Sequence, residues 1–163
     1  MREHQKYFHI EDQNGTLLPA FITVSNIQSK NPQSVIYGNE KVIRPRLADA
    51  AFFFNTDKQT TLARKATRLK GVLFQRDLGT LADKQRRIAS VAESLCSSLG
   101  ADAVTVNAAG TLLKGDLVSD MVGEFPELQG IAGRHYALHD GETESVADAI
   151  EQHYWPKFSG DAL

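Results

Sequence analysis

The sequence predicts a mainly α-helical fold, a helical bundle fronted by a β-hairpin and therefore α+β overall. Three observations carry this reading. Aromatic and β-branched residues gather at 6–10 and 20–25 around an Asn14-Gly15 pair, apolar residues recur at helical spacing through the rest of the chain, and helix start and stop residues punctuate that stretch. With 163 residues, 42% of them hydrophobic and 23% charged, the chain is long enough to bury one sizeable core.

The Asn14-Gly15 pair supplies the backbone freedom of a tight turn, so the segment before residue 30 is expected to be an antiparallel hairpin. A two-stranded hairpin is marginal alone and must rest on another element. After the polar loop SNIQSKNPQS, Pro45 suits a first helical position, and RLADAAFFFNTD is expected to follow as a short apolar helix packed on several sides. The segment KQTTLARKATRLKG carries Leu62, Ala66 and Leu69 at helical spacing and ends at Gly71. In the next helix, Thr80 and Asp83 form a capping-box pattern and Gly100 closes it. Its apolar stripe, Ile88, Val91, Ala92, Leu95 and Leu99, is expected to face the core. Asp102 is a cap for one continuous helix through VTVNAAGTLLKGDLVSDMVGEF, central because it is apolar around most of its circumference. Pro126 precedes a helix ELQGIAGRHYALH ending near Gly141. A last helix, 144–154, turns Val146, Ala147, Ile150 and Tyr154 to one side and stops before Pro156.

A formal net charge of -2 supplies no global basic field to draw the chain to nucleic acid, so any such contact must come from a local patch. The longest apolar run, residues 50–54, falls far short of the roughly 20 residues that span a bilayer. The polar start MREHQK is not a secretory signal, and a cytoplasmic protein without membrane contact is expected. Cys96 is the single cysteine, which excludes an internal disulfide and any cysteine-cluster zinc site. Its place on the stripe with Ala92 and Leu99 reads as a buried structural thiol.

The chemical candidates centre on GRHYALHDGE, residues 133–142. His135 and His139 lie four residues apart, a spacing that lets two imidazoles on one helix face hold a metal, with Asp140 or Glu142 as an oxygen ligand. The bland reading is a helix end at Asp140-Gly141. His139-Asp140 also matches the dipeptide for which a superfamily of metal-dependent phosphohydrolases is named, but there the pair sits inside an apolar helix. LLKGDL fits that setting better: Gly115 stands where the histidine would be, and Asp116 alone cannot hold a catalytic dication. The expected metal set is therefore empty, with Gly115 and Asp116 as a degenerate His-Asp position. Neither a nucleophile constellation nor a phosphate-cradling or dinucleotide glycine motif is present, and no catalytic residue is expected. Basic residues gather at Lys41, Arg44 and Arg46, then at Lys58, Arg64, Lys65, Arg68 and Lys70. They read either as a solvated helix face or as contacts to RNA phosphates.

The strings HQKYF, LLPAFITVSNI, GNEKVIRPRLADAAFFFNTD, LGTLADK and KGDLVSDMVGEFPELQG, followed by HYALHDGE, resemble the β subunit of the bacterial two-subunit glycyl-tRNA synthetase, in order from Gln5 to Asp161. That resemblance implies a heterotetramer of two α and two β subunits, with glycine activation, ATP and Mg belonging to α and tRNA recognition supported by β. It implies that this region is a degenerate His-Asp-type helical domain, 38–163, truncated at its C-terminus, preceded by a hairpin, 1–30, that completes a neighbouring domain of the subunit. The piece would lack the subunit's N-terminal domains and its C-terminal anticodon-binding region. The family's helices continue past Ala162, where a last metal-binding aspartate could occur. The expected role is tRNA binding or scaffolding without catalysis or a cofactor of its own. Its partners would be the α subunit, the rest of β and tRNA(Gly), and not DNA. RNA contact is assigned to Lys41, Arg44 and Arg46, whose competing role is to pair with Glu40 or Asp49. The rival functions are a working metal-dependent phosphohydrolase using His135, His139, Asp116 or Asp140, and a protein-protein interaction module.

Overall fold

The computed structural model describes residues 6–161; residues 1–5, where the expected first domain begins, and residues 162–163 lie outside them. The chain divides into two compact units, one ending at Arg44 and one beginning at Pro45.

In the first unit, β1 (Phe8–Glu11) pairs antiparallel with β2 (Leu17–Ile22), His9 opposite Phe21. The turn is tied by Asp12, whose carboxylate accepts from the amides of Asn14 and Thr16 at 2.8 Å each. Such a local bond closes a turn without help from the rest of the fold. The support the hairpin needs comes from the start of α1 (Pro32–Asp57): Tyr7 meets Phe21 edge-on at 5.4 Å, and its hydroxyl donates to Asn39 at 2.9 Å. Asn31 caps α1 by accepting from the Ser34 amide at 3.3 Å, with Pro32 at the first helical position.

Helix α1 corrects the reading of Pro45. That proline stands inside a helix of 26 residues rather than opening a short one. The position that tolerates a missing amide is taken by Pro32, so Pro45 leaves the carbonyl four residues earlier without its helical donor.

In the second unit α1 ends at Asp57 and is followed by α2 (Leu62–Ala66) and a 3-10 turn (Thr67–Gly71). Leu62, Ala66 and Leu69 are all buried there, as their spacing requires. A small hairpin of β3 (Leu73–Gln75) and β4 (Gly79–Thr80) follows, with the Gln75 side chain accepting from the amides of Asp77 and Leu78. This hairpin lies outside the elements expected from the sequence. Helix α3 (Leu81–Leu99) opens with the expected capping box, the Thr80 hydroxyl accepting from the Asp83 amide and the Asp83 carboxylate from the Thr80 amide, and it closes at Gly100. Its stripe, however, does not face the core throughout: Val91, Leu95 and Leu99 are 60%, 47% and 74% exposed, while Cys96 is buried.

Asp102 caps α4 (Ala103–Leu112), accepting from the amides of Val104 and Thr105. The expected continuous helix 102–124 is broken in two. Leu113 is extended and Lys114 left-handed at φ +71°. A 3-10 turn (Gly115–Val118) then leads to α5 (Asp120–Glu124), capped by Ser119. The helix expected from Glu127 also starts late. Pro126–Leu128 is a 3-10 turn, Gly130 at φ +85° turns the chain, and α6 (Ile131–His139) begins after it. Thr143 caps α7 (Glu144–Gln152), which buries Val146, Ala147 and Ile150.

The core gathers Leu62, Leu112, Met121, Val122, Tyr136 and Ile150 with the partly buried Phe53 and Phe54, the latter stacked on Tyr136 at 5.6 Å. At its centre is a buried polar knot. The Asp57 carboxylate, 3% exposed, accepts from the amides of Asp120 and Met121 and from the Tyr136 hydroxyl, and pairs with Lys65 at 3.1 Å. Lys65, 4% exposed, also donates to the Asp57 carbonyl oxygen at 2.8 Å. This corrects its assignment to a solvated basic face: of that group, Arg64, Arg68 and Lys70 are exposed and Lys58 half-buried, but Lys65 is not.

Burial alone would raise the Asp57 carboxyl, but its two amides, the Tyr136 hydroxyl and Lys65 outweigh burial and hold it below the usual carboxylate range. Its contribution to stability is then present above the ordinary carboxylate pKa and is lost as pH falls through the lower folded value. Replacing Asp57 by Asn leaves Lys65 buried without its counter-charge, and is expected to cost about 3–5 kcal/mol in urea unfolding at neutral pH. The difference from the parent should shrink when the measurement is repeated near pH 3.

Candidate functional site

Helix α6 carries GRHYALHDGE to its end, and the candidate metal set does not assemble there. His135 and His139 are both exposed. Asp140 instead turns its carboxylate to the first amide of α2, accepting from Leu62 at 2.6 Å. Arg134, on the same helix, engages Glu144 and Asp148 at 2.7 Å and Glu151 at 3.7 Å, which ties α6 to α7. Among the described residues no three His, Cys, Asp or Glu side chains converge as metal ligands.

Gly115 and Asp116 lie in the break between α4 and α5. A Cβ on Gly115 would sit 3.0 Å from Leu62 Cδ1 and 3.1 Å from the Leu62 carbonyl oxygen. The space where a histidine side chain would start is therefore filled by the buried Leu62. Asp116, fully buried, accepts from the Gly130 amide at 2.6 Å through Oδ2, while Oδ1 has no hydrogen-bond partner. Its neighbour Gly133 is a close-approach position, where a Cβ would lie 2.8 Å from Ile150 and 3.2 Å from the Asp116 carboxylate. Burial pushes the Asp116 carboxyl up, with the Gly130 amide and Lys114 opposing. A lone carboxyl driven toward its neutral form inside an apolar shell is a poor cation ligand and a good structural acceptor.

Around Asp116 the structure gathers residues that sequence reasoning did not single out as functional. Lys114, 8% exposed, holds Nζ 3.7 Å from the centre of the Tyr154 ring. His153 stacks against Tyr154 at 3.9 Å between ring centres, and its Nδ1 is 2.6 Å from the Ile150 carbonyl oxygen. His153 Nε2 and the Tyr154 hydroxyl are buried without partners. Burial, then the charge of Lys114, pushes His153 down to about 4. Burial, then the charge of Lys84, brings Lys114 down to about 8. The available signal was Lys114-Gly115 itself, a cation beside a glycine inside the otherwise apolar LLKGDL. An open cavity of about 280 Å³ lies beside Tyr154, lined also by Pro126, Glu127, Gln129 and Lys157.

The proposed RNA-contacting residues all lie on α1 and are exposed. Arg44 pairs with Glu40 at 3.0 Å, the competing role foreseen for it. By helical spacing Lys41 and Arg44 share a side, whereas Arg46, two residues beyond Arg44, does not.

The two buried aspartates of the second unit have opposite preferences. Asp116 has a raised folded pKa, so it favours the folded state below the ordinary carboxylate pKa and works against it as pH rises. Asp116→Asn keeps an oxygen for the Gly130 amide and removes the charge. Its stability at neutral pH is expected within about 1 kcal/mol of the parent, or above it, in contrast to Asp57→Asn. Urea unfolding of both variants at one pH checks the contrast, and a loss of several kcal/mol for Asp116→Asn would refute it.

Comparison with known proteins adds what the geometry alone does not supply. The family model described as glycyl-tRNA synthetase beta subunit matches residues 1–163. The chain is 57% identical to the glycine-tRNA ligase beta subunit of Psychromonas ingrahamii over 100% of its own length and 24% of that protein. It is 56% identical to the one of Chromohalobacter salexigens over 99% of the chain and 23% of that protein. The corresponding figures for Colwellia psychrerythraea are 54%, 100% and 24%. The chain thus spans about a quarter of the length of the curated relatives it matches. Matched along its whole length by the family model and at more than half of its positions by these relatives, the chain belongs to the glycyl-tRNA synthetase beta subunit family.

Proposed function

We propose that this chain forms part of the β subunit of a two-subunit glycine-tRNA ligase acting in the cytoplasm, and that it supports charging of tRNA(Gly) by binding tRNA or by holding neighbouring parts of the enzyme. The observation that carries this reading is the full-length match to the family. Glycine activation with ATP and Mg is assigned to the α subunit, and no step of it to residues of this chain. The filled space at Gly115 and the structural use of Asp116 and Asp140 support a role without metal chemistry.

For RNA the contact needs only accessible point charges. Lys41, Arg44 and Arg46 meet that requirement. The Arg44–Glu40 pair is no obstacle, since an exposed i,i+4 pair is worth only about 0.3–0.5 kcal/mol and Arg44 can exchange Glu40 for a phosphate. A scaffolding contribution is favoured by a separate observation, the exposed apolar side of α3 at Val91, Leu95 and Leu99.

Titration of the chain with tRNA(Gly) at two salt concentrations tests the RNA role. Affinity should fall as salt rises, and replacing Lys41, Arg44 and Arg46 by Gln should lower the slope of log K against log salt by about 0.7–0.9 for each phosphate contact removed. Absence of binding at low salt, or an unchanged slope in the triple variant, would remove these three residues from the RNA-binding role. Secondary structure by circular dichroism should be unaffected, because all three side chains are exposed.

A further inference from the structure

From the pairing of the buried and half-buried cations we infer that Lys84 and Lys114 form a binding site for a phosphate group at the end of the α3–α4 pair where α3 begins and α4 ends. Of the other cations drawn into the second unit, Lys65 has the Asp57 carboxylate and Arg134 has three carboxylates, while the half-buried Lys58 rests singly on the Phe54 ring at 5.2 Å. Lys84 and Lys114 lack a carboxylate: among the described residues neither ammonium forms an ion pair or a hydrogen bond. Each ammonium instead rests on an aromatic face, Lys84 Nζ 4.0 Å from the Phe74 ring centre and Lys114 Nζ 3.7 Å from that of Tyr154. An aromatic face orients an ammonium without consuming the three N–H donors it would offer an anion.

The backbone brings the two together. Lys84 lies in the first turn of α3, and the next residue, the buried Gln85, donates to the Thr111 carbonyl oxygen at 2.6 Å. Further along the pair, Ala89 packs so closely on Gly110 that a Cβ there would stand 2.8 Å away, which fixes the two helices against each other. Lys114 follows the end of α4 by two residues, in a left-handed conformation that folds it back. The charge of Lys84 contributes, after burial, to the lowered pKa of Lys114.

The carboxylates within reach are committed or suppressed. Asp83 is held by the Thr80 amide and by Arg86 at 3.0 Å, and Asp116 is driven by burial toward its neutral form. Two cations held near each other without a counter-ion carry a repulsion that a bound dianion removes. The unpartnered Tyr154 hydroxyl and His153 Nε2 leave further hydrogen-bonding capacity beside Lys114.

The site is independent of the tRNA reading, because free phosphate alone tests it. In an amide-resolved NMR titration of the chain, sodium phosphate at constant ionic strength, balanced with chloride, is expected to move the signals of Lys84, Gln85, Lys114 and Gly115 along a saturating curve. Lys84→Gln combined with Lys114→Gln should weaken that binding by about tenfold or more. Lys84→Gln alone, at a half-buried position that leaves Lys114 in place, should weaken it by several-fold and guards against a folding defect in the double variant. A short RNA oligonucleotide that moves the same signals at lower concentration than phosphate identifies a backbone phosphate as the source, while a response to phosphate or AMP but not to the oligonucleotide identifies a free one. Either response supports the site. Equal effects of chloride and phosphate, or unchanged phosphate affinity in both variants, overturns it.

Discussion

Four segments of the second unit are held to one another by the carboxylate of Asp57. It ends α1, pairs with Lys65 of α2, accepts the first amides of α5, and receives the hydroxyl of Tyr136 from α6. Taking a carboxylate and an ammonium out of water costs several kcal/mol for each ion, and their attraction offsets that cost only when the remaining lone pairs and protons are also satisfied. Here they are, by two amides, a hydroxyl and a carbonyl oxygen. A hydrophobic replacement could match the stability of such a knot, but it would not fix the approach of four segments at once. The apolar core, Leu62, Met121, Ile150 and the stacked Phe54 and Tyr136, packs around a geometry that these bonds specify.

Asp116 shows the alternative solution to the same problem. It is as buried as Asp57 but forms no ion pair, and it holds one amide, that of Gly130, at the point where the chain turns into α6. The surroundings move its charge equilibrium in the opposite direction to that of Asp57. One aspartate thus works as an anion and the other as a near-neutral acceptor, and each organises the start of a short helix: α5 for Asp57 and α6 for Asp116.

This difference explains which parts of the fold the sequence discloses. Signals confined to a few residues were legible: the Thr80–Asp83 box, the Asp102 cap, Gly100 at the end of α3, the Asn14-Gly15 turn, and the spacing of Leu62, Ala66 and Leu69. Features that depend on distant partners were not. Asp57 finds its acceptor role through residues 63, 64 and 79 positions away, so nothing near Lys65 distinguishes it from the exposed Arg64 and Arg68. The break at Lys114 likewise answers to Asp116 and Gly130 and not to any local helix breaker except Gly115. Pro45 misled because a proline signals a helix start only where no earlier start exists, and Asn31-Pro32 supplies one. At the candidate site, the helix end at His139–Asp140 was readable from its Asp-Gly context. The gathering of Lys114, His153 and Tyr154 was not, since it requires the chain to fold back across about 40 residues.

The backbone at Gly115 is closely approached by the core. Leu62 packs where a side chain at residue 115 would begin, the same residue whose amide is capped by Asp140 of the decoy His-Asp pair. Asp116 and Asp140 both serve as acceptors of backbone amides, from Gly130 and Leu62. Among the described residues, Lys84 and Lys114 form no ion pair with a carboxylate. The ammonium groups of Lys84 and Lys114, each resting on an aromatic face, are the basis of the proposed phosphate site.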